Sequence, residues 1–202
     1  MKQKIKIVHL QLLPLLSGVQ RSMLDFLLRL DRDRYDISVI CKEEGDLTDA
    51  LQRTGIRFHI VPPLQRPINP VADLKALHQL YRLFRREKYD LIHTHSSKTG
   101  LLGRAAGRLA GVPHIFHTVH GLPFHEFSGK GKTWLYASME RWAGRLSDQV
   151  VFVNNEERRL ALAKGLLRPE QVVTVYNGVD LDKVALWHTL DKRQALDRKS
   201  VV

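Results

Sequence analysis

The chain has one cysteine, Cys41, so no intramolecular disulfide framework holds the fold, and the thiol usage suits a reducing compartment. No apolar run approaches the roughly 18 residues of a membrane-spanning helix. Residues 5–16 make a poor secretion signal, because Lys6, His9, Gln11 and Pro14 interrupt them and no small-residue cleavage site follows. The expected location is therefore cytoplasmic. Internal repeats and low-complexity segments are missing. So is a G-x-G-x-x-G fingerprint for a dinucleotide. The stretch Gly129-Lys130-Gly131-Lys132-Thr133 imitates a phosphate loop but has Glu126 where the first glycine belongs, and no strand precedes it. Nucleotide-triphosphate hydrolysis is excluded on that ground. Acidic groups are also scarce: 21 Asp and Glu stand against 32 Lys and Arg, a net charge of +11 with ten histidines besides. Such a field favours an anionic partner, whether nucleic acid, a phosphorylated substrate or an anionic membrane surface, and does not choose among them. No nucleic-acid-binding motif accompanies it, and nucleic acid is not an expected partner.

What remains is ordinary for a globular protein of 202 residues, with 44% hydrophobic and 26% charged residues. Apolar patterning switches repeatedly between the strand and helix periods. Strand-like runs cover 4–10, 36–40, 57–61, 91–94, 114–119, 149–153 and 172–175. Helical patterns cover the segment through Leu30, then 46–54, 71–86, 100–110, 132–146 and 156–164. Near-continuous apolar strands such as Val150-Val151-Phe152-Val153 belong to a parallel sheet covered on both faces. The expected fold is α/β: a doubly wound, mostly parallel, Rossmann-like sheet of about seven strands with helices on both faces. Ligands in such sheets bind beyond the carboxyl ends of the strands. That rule selects Ser17-Gly18, 94–98, 117–121, Asn154-Asn155 and Asn177-Gly178.

Several constellations at those positions could carry chemistry. Gly18, opening a helix, would let backbone N–H groups approach an anion; a turn glycine behind a serine N-cap explains the same residues. His93, His95, His117, His120 and His125 supply imidazoles for acid–base work, hydrogen bonding or a metal. The carboxylate and thiolate partners of a metal site are few, with only Glu126 near, and the expected metal content is none. Gly103, Gly107 and Gly111 read as close helix packing. Residues 132–146 put Trp134, Leu135, Met139, Trp142 and Leu146 on one arc with Lys130, Arg141 and Arg145 along its edge. A membrane-surface helix and a core-facing helix with solvated charges both fit that pattern.

Taken in order, these stretches resemble the N-terminal domain of glycosyltransferase family 4, a retaining group with the GT-B fold. The resemblance is carried by residues 6–10 with Ser17-Gly18-Val19-Gln20-Arg21, by 90–100 (Asp-Leu-Ile-His-Thr-His-Ser-Ser-Lys-Thr-Gly), by His117-Thr118-Val119-His120-Gly121, by 150–154, and by Val175-Tyr176-Asn177-Gly178-Val179-Asp180. It implies that Ser17 and Gly18 meet the diphosphate of a nucleotide-sugar donor and that His120 acts beside the transferring sugar. It implies further that His95, Ser96, Ser97, Lys98, His117 and Gly121 line an acceptor cleft. Asn177, Gly178 and Asp180 would lead into an interdomain linker. Where the family commonly has serine after the sixth strand, this chain has Asn154, and that role is not carried over.

The domain expectation is a family 4-like N-terminal domain over 1–182. Residues 183–202 then read as a linker and the truncated start of a donor-binding domain. The activity implied is transfer of a sugar from a nucleotide-sugar to a lipid-linked glycan acceptor in envelope or capsule polysaccharide assembly. The donor is a substrate, so no cofactor is expected. Residues 132–146 would touch the inner membrane surface. Two rivals remain at this point: a non-catalytic binding module with the same fold, and a metal-dependent hydrolase using the histidine cluster.

Overall fold

The computed structural model describes residues 3–122 and 130–178; Asp180, His125, Glu126 and the segment 183–202 lie outside them. Within the described residues the order is β1 (Ile5–Leu10), α1 (Gly18–Arg29), β2 (Tyr35–Cys41), α2 (Asp46–Arg53), β3 (Arg57–Ile60), α3 (Pro70–Glu87), β4 (Leu91–His95), α4 (Ser97–Ala110), β5 (His114–Val119), α5 (Lys130–Gly144), β6 (Gln149–Phe152), α6 (Asn155–Ala163), and β7 (Val172–Thr174). All seven strands are parallel, in the order β3-β2-β1-β4-β5-β6-β7. The expected fold class is the observed one.

Local chemistry sets the boundaries. Asn69 caps α3 by accepting from the Ala72 N–H at 3.1 Å, with Pro70 at the first helical position. Asn154 caps α6 in the same way through the Glu157 N–H at 2.8 Å, so its work here is structural. Gly111 ends α4 in the left-handed region, φ 73°. The largest boundary difference from the sequence reading is at α4, which starts at Ser97, not Gly100; α5 also runs Lys130–Gly144 rather than 132–146. Ser96 turns the chain out of β4 with φ 61° and ψ 152°, a strained conformation for a residue with a Cβ, and no sequence signal marks it.

Strand alternation divides the core. Val8, Leu10, Ile40 and Ile92 face α3 and α4, whereas Ile37, Val39 and Cys41 face α1 and α2. A third cluster joins Val119, Val150, Phe152 and Val172 to α6. On the α1 side of the sheet, Val173 and Val175 at the far end stay exposed, and this half of the face forms one wall of a groove described below.

Two of the three spaced glycines do allow close packing. A Cβ on Gly103 would lie 2.6 Å from Leu10 Cδ2 and 2.8 Å from Thr94 Cγ2, and one on Gly107 would lie 2.9 Å from Ile92 and Ile115 methyl groups. Gly111 instead serves the helix end. Because Leu10 and Thr94 are fully buried, Gly103→Ala should lower stability by about 1–3 kcal/mol. Urea unfolding of the variant measures this, and an unchanged midpoint would contradict the packing.

Candidate functional site

Because every strand runs the same way, all the strand carboxyl ends meet at one edge. There Ser17-Gly18, His95, His120 and Asn154 all emerge. The chain winds one way from β1 to β3 and the other way from β4 to β7, so β1 and β4 flank the point of reversal where such sheets bind ligands.

His9 ends up directly beside this point. It pairs in register with His93, and the period of two puts His9, His93 and His95 on one face. Their rings pack together: His93 and His95 stack with centroids 4.7 Å apart, and His9 lies 4.8 Å from His93 at a tilt of 39°. Hydrogen bonds run through the group in series. His9 Nδ1 lies 3.1 Å from His95 Nε2, and His95 Nδ1 lies 3.0 Å from His120 Nε2. His93 Nε2 bonds separately to Thr118 Oγ1 at 2.7 Å. Burial holds His9 and His95 well below the ordinary imidazole range and lowers His93 to about 4, with neighbouring histidines adding to the shift. His120, half-buried at the rim, is lowered less, again by burial. All four rings are therefore neutral at pH 7.

His117 stands on the opposite face. Thr94 Oγ1 donates to the Phe116 carbonyl at 3.3 Å and so accepts from His117 Nδ1 at 2.9 Å, which leaves His117 Nε2 as an acceptor. A Cβ on Gly100 would fall 2.7 Å from His117 Cε1; that glycine makes room for the ring.

Two cavities open at this edge, and His120 borders both. A cleft of about 410 Å³ on the α4 side is lined by Ser96, Ser97, Lys98, His117, His120 and Gly121, joined by Arg66, Ile68, Arg104 and Glu140. A groove of about 450 Å³ on the α1 side is lined by His9, Met23, Phe26, His93, His95, Val175, Asn177 and Gly178. So the structure gathers five of the six expected acceptor residues around the cleft, while strand alternation turns His95 to the groove face. Asn177 and Gly178 also fall in the groove. Neither Ser17 nor Gly18 lines either cavity. Ser17 donates to Gln20 Oε1, and Gly18 has open space where a Cβ would stand, so packing does not demand a glycine there. Lys98 lines the cleft with its charge already committed, 2.6 Å from Asp73.

The cleft floor holds a buried pair that the sequence reading missed. Arg104 is 1% exposed; its Nε donates to the Gly100 carbonyl at 2.8 Å, its Nη1 donates to Ser147 at 3.3 Å, and its Nη2 lies 3.8 Å from Glu140 Oε2. Burial lowers Arg104 to about 10, which leaves it charged at pH 7. Burial raises Glu140, opposed by Arg104 and a hydrogen bond with Ser97. His9 was equally unmarked in the sequence, although the β1–β4 adjacency of a doubly wound sheet would have placed it beside His93.

The metal alternative can be judged on the donor set. One nitrogen from each of His9, His93 and His95 lies within 4.8 Å of the others, and neutral imidazoles are good ligands. Yet nitrogens of all three rings are spent on the His9–His95 and His93–Thr118 hydrogen bonds, and the group contains no carboxylate among the described residues. A hydrogen-bonded chain describes them better than a coordination sphere.

Comparison with known proteins bears on the family and the fold. The model of the family described as glycosyltransferase family 4 matches residues 16–183. An Escherichia coli protein, UDP-Gal:alpha-D-GlcNAc-diphosphoundecaprenol alpha-1,3-galactosyltransferase, is 45% identical over 182 residues, covering 90% of this chain and 47% of its own. A Campylobacter jejuni N,N'-diacetylbacillosaminyl-diphospho-undecaprenol alpha-1,3-N-acetylgalactosaminyltransferase is 22% identical, covering 75% of this chain and 42% of its own. In three dimensions the chain is similar to Anabaena HepE, crystallised with UDP and glucose: TM-score 0.67, 20% identity, 88% of this chain and 46% of that one, a likeness of fold. The chain spans about half the length of the relatives it matches.

Proposed function

The chain belongs to glycosyltransferase family 4, and from that premise we propose that it is the acceptor-side half of a transferase acting in polysaccharide assembly. The donor is a nucleotide-sugar. The acceptor is a lipid-linked glycan carrying a diphosphate. The observation that carries this reading is the 45% identity to the E. coli galactosyltransferase, whose name gives such an acceptor. The second relative's name gives a diphospho-undecaprenol acceptor and an alpha-1,3 bond as well. The cleft suits an acceptor sugar, because Ser96, Ser97, His120 and Glu140 offer both donors and acceptors to its hydroxyls. His120 would sit beside the transferring sugar. Gly18, with space around its Cα and the α1 N-terminus behind it, would face the donor diphosphate. No cofactor is needed, since the nucleotide-sugar is consumed.

Calorimetry on the 202-residue protein tests the division of labour. A short-chain polyprenyl diphosphate-linked GlcNAc should bind, and UDP-galactose, UDP-glucose or GDP-mannose should bind weakly or not at all. Tight nucleotide-sugar binding without acceptor binding would overturn the assignment of this half. If neither ligand binds and a chimera with the C-terminal half of the E. coli relative transfers no sugar, the non-catalytic module is the better reading.

A lipid-linked acceptor places the cleft near a membrane surface. No helix among the described residues is long and apolar enough to cross one, but Trp134 and Trp142 on α5 are 70% and 51% exposed. Ile68, at the cleft, and Val71 and Leu74, at the start of α3, are exposed too. The basic edge expected beside those tryptophans is thinner than the sequence suggested. Arg141 is tied down, its Nε donating to the Gly165 carbonyl at 3.1 Å and its Nη2 to that of Lys164 at 3.4 Å, so it closes the end of α6. Arg145 is exposed. Weak, salt-sensitive sedimentation with anionic vesicles is expected. It should fall sharply in the Trp134→Ser/Trp142→Ser double variant and less in Arg145→Glu. Binding that survives the double variant would assign contact to another surface.

A further inference from the structure

The three hydrogen-bonded imidazoles join the two cavities. His9 and His95 border the groove, His95 links His9 to His120, and His120 borders both the groove and the cleft. We propose that His9 and His95 are positioning residues for His120, and that the chain His9–His95–His120 sets which nitrogen of His120 carries its proton and passes a proton between cleft and groove. The relay rests on the proposed function only in giving His120 a substrate to meet; its geometry stands without it.

Neutral imidazole has one N–H and one bare nitrogen. Two such rings in contact must therefore share one polarity, and a third in series inherits it. Only two arrangements satisfy both hydrogen bonds. In one, His9 Nδ1–H donates to His95 Nε2 and His95 Nδ1–H donates to His120 Nε2, so His120 presents Nδ1–H to a ligand. In the other, every proton sits on the opposite nitrogen, and His120 presents a bare Nδ1. The second form becomes the first when one proton enters at His120 Nδ1, two shift along the chain, and one leaves from His9 Nε2 toward the groove. One proton is gained and one lost, so no charge accumulates in a site where burial disfavours it. His93 takes no part in the series: it packs against His9, stacks on His95 and bonds Thr118. Around the chain the other titratable groups are His93 on β4 and His117 on the opposite face of β5, with Arg104 behind His117; Asp25 and Arg29 of α1 border the same groove.

The relay can be read directly in the 202-residue protein with nitrogen-15 histidine at about pH 7.5, where all these rings are neutral. Two couplings between nitrogens across N–H···N hydrogen bonds are expected, one linking His9 to His95 and one linking His95 to His120. Long-range proton–nitrogen spectra should show one dominant tautomer at His95 and at His120. His9→Leu should remove the first coupling and release His120, a ring it does not touch, into a mixture of tautomers; His9→Gln, which can still accept from or donate to His95, should restore a single one. Two wild-type results overturn the proposal: absence of both couplings, or stoichiometric zinc binding that displaces all three ring signals together. An unchanged His120 tautomer in a folded His9→Leu protein also overturns it. If His9→Leu does not fold, the wild-type couplings decide alone. None of these readouts depends on sugar transfer, so failure of the relay and failure of the transferase reading are separate results.

Discussion

Acidifying the protein from about pH 7.5 to about pH 4.5 is expected to unfold it, with an unusually steep loss of stability below about pH 6.5. His9, His95 and His117 are held well below the ordinary histidine range and His93 is lowered to about 4, in each case chiefly by burial. In the unfolded chain the same side chains protonate near about 6.5. Below that value the unfolded state binds protons that the folded state refuses. Stability is therefore complete above about pH 6.5 and is lost as the pH falls toward the folded values. Each group removes about 1.4 kcal/mol per pH unit, so the four together remove about 5 kcal/mol per unit from a domain that holds roughly 5–15 kcal/mol. Glu140 works the other way, because its raised carboxyl takes up a proton in the folded state first, but it is one group against four. Urea titrations across the pH range measure the slope. A stability that stays flat between about pH 6.5 and pH 5 would show that the rings are not buried as described.

His120→Ala is expected to abolish transfer almost completely without unfolding the domain. The assay uses a chimera that joins this chain to the C-terminal half of the E. coli relative, of which the match covers 47%. If His120 exchanges a proton or a hydrogen bond with the reacting hydroxyl, its loss should lower kcat by roughly 100- to 10,000-fold. Because His120 is only half-buried, removing its ring leaves no large cavity in the core, and the thermal midpoint should move little. A variant that keeps its rate, or loses rate only in proportion to folded protein, would remove His120 from the chemistry.

Much of this was legible in the amino-acid sequence, for physical reasons that stop at identifiable residues. Alternating periods fixed the seven strands, and the apolar run Val150–Val153 made the sheet parallel, since only a sheet covered by helices tolerates such strands. Parallel strands then place Ser17, His95, His120 and Asn154 at one edge without further information. The start of α4 was not legible, because the turn depends on the φ of Ser96, which composition does not announce. The split of the histidines between two faces follows from register: Thr94 pairs with His117, and His9 with His93. That pairing is a contact across dozens of residues, and periodicity within one segment cannot supply it. Arg104 looked like one more cation in a small-residue helix. Its burial depends on Glu140 and Ser147, which reach it only after α5 packs against α4. Arg141 looked free for the same reason, until the end of α6 met it.

A crystal structure of the 202-residue protein with short-chain polyprenyl diphosphate-linked GlcNAc would show whether the cleft is the acceptor site. The sugar should lie in the cleft between the start of α4 and the end of β5, with a hydroxyl within hydrogen-bonding distance of His120 and with Ser96, Ser97 and Glu140 around it. An acceptor bound instead in the groove beside α1, or a nucleotide-sugar occupying the cleft in its place, would contradict that assignment.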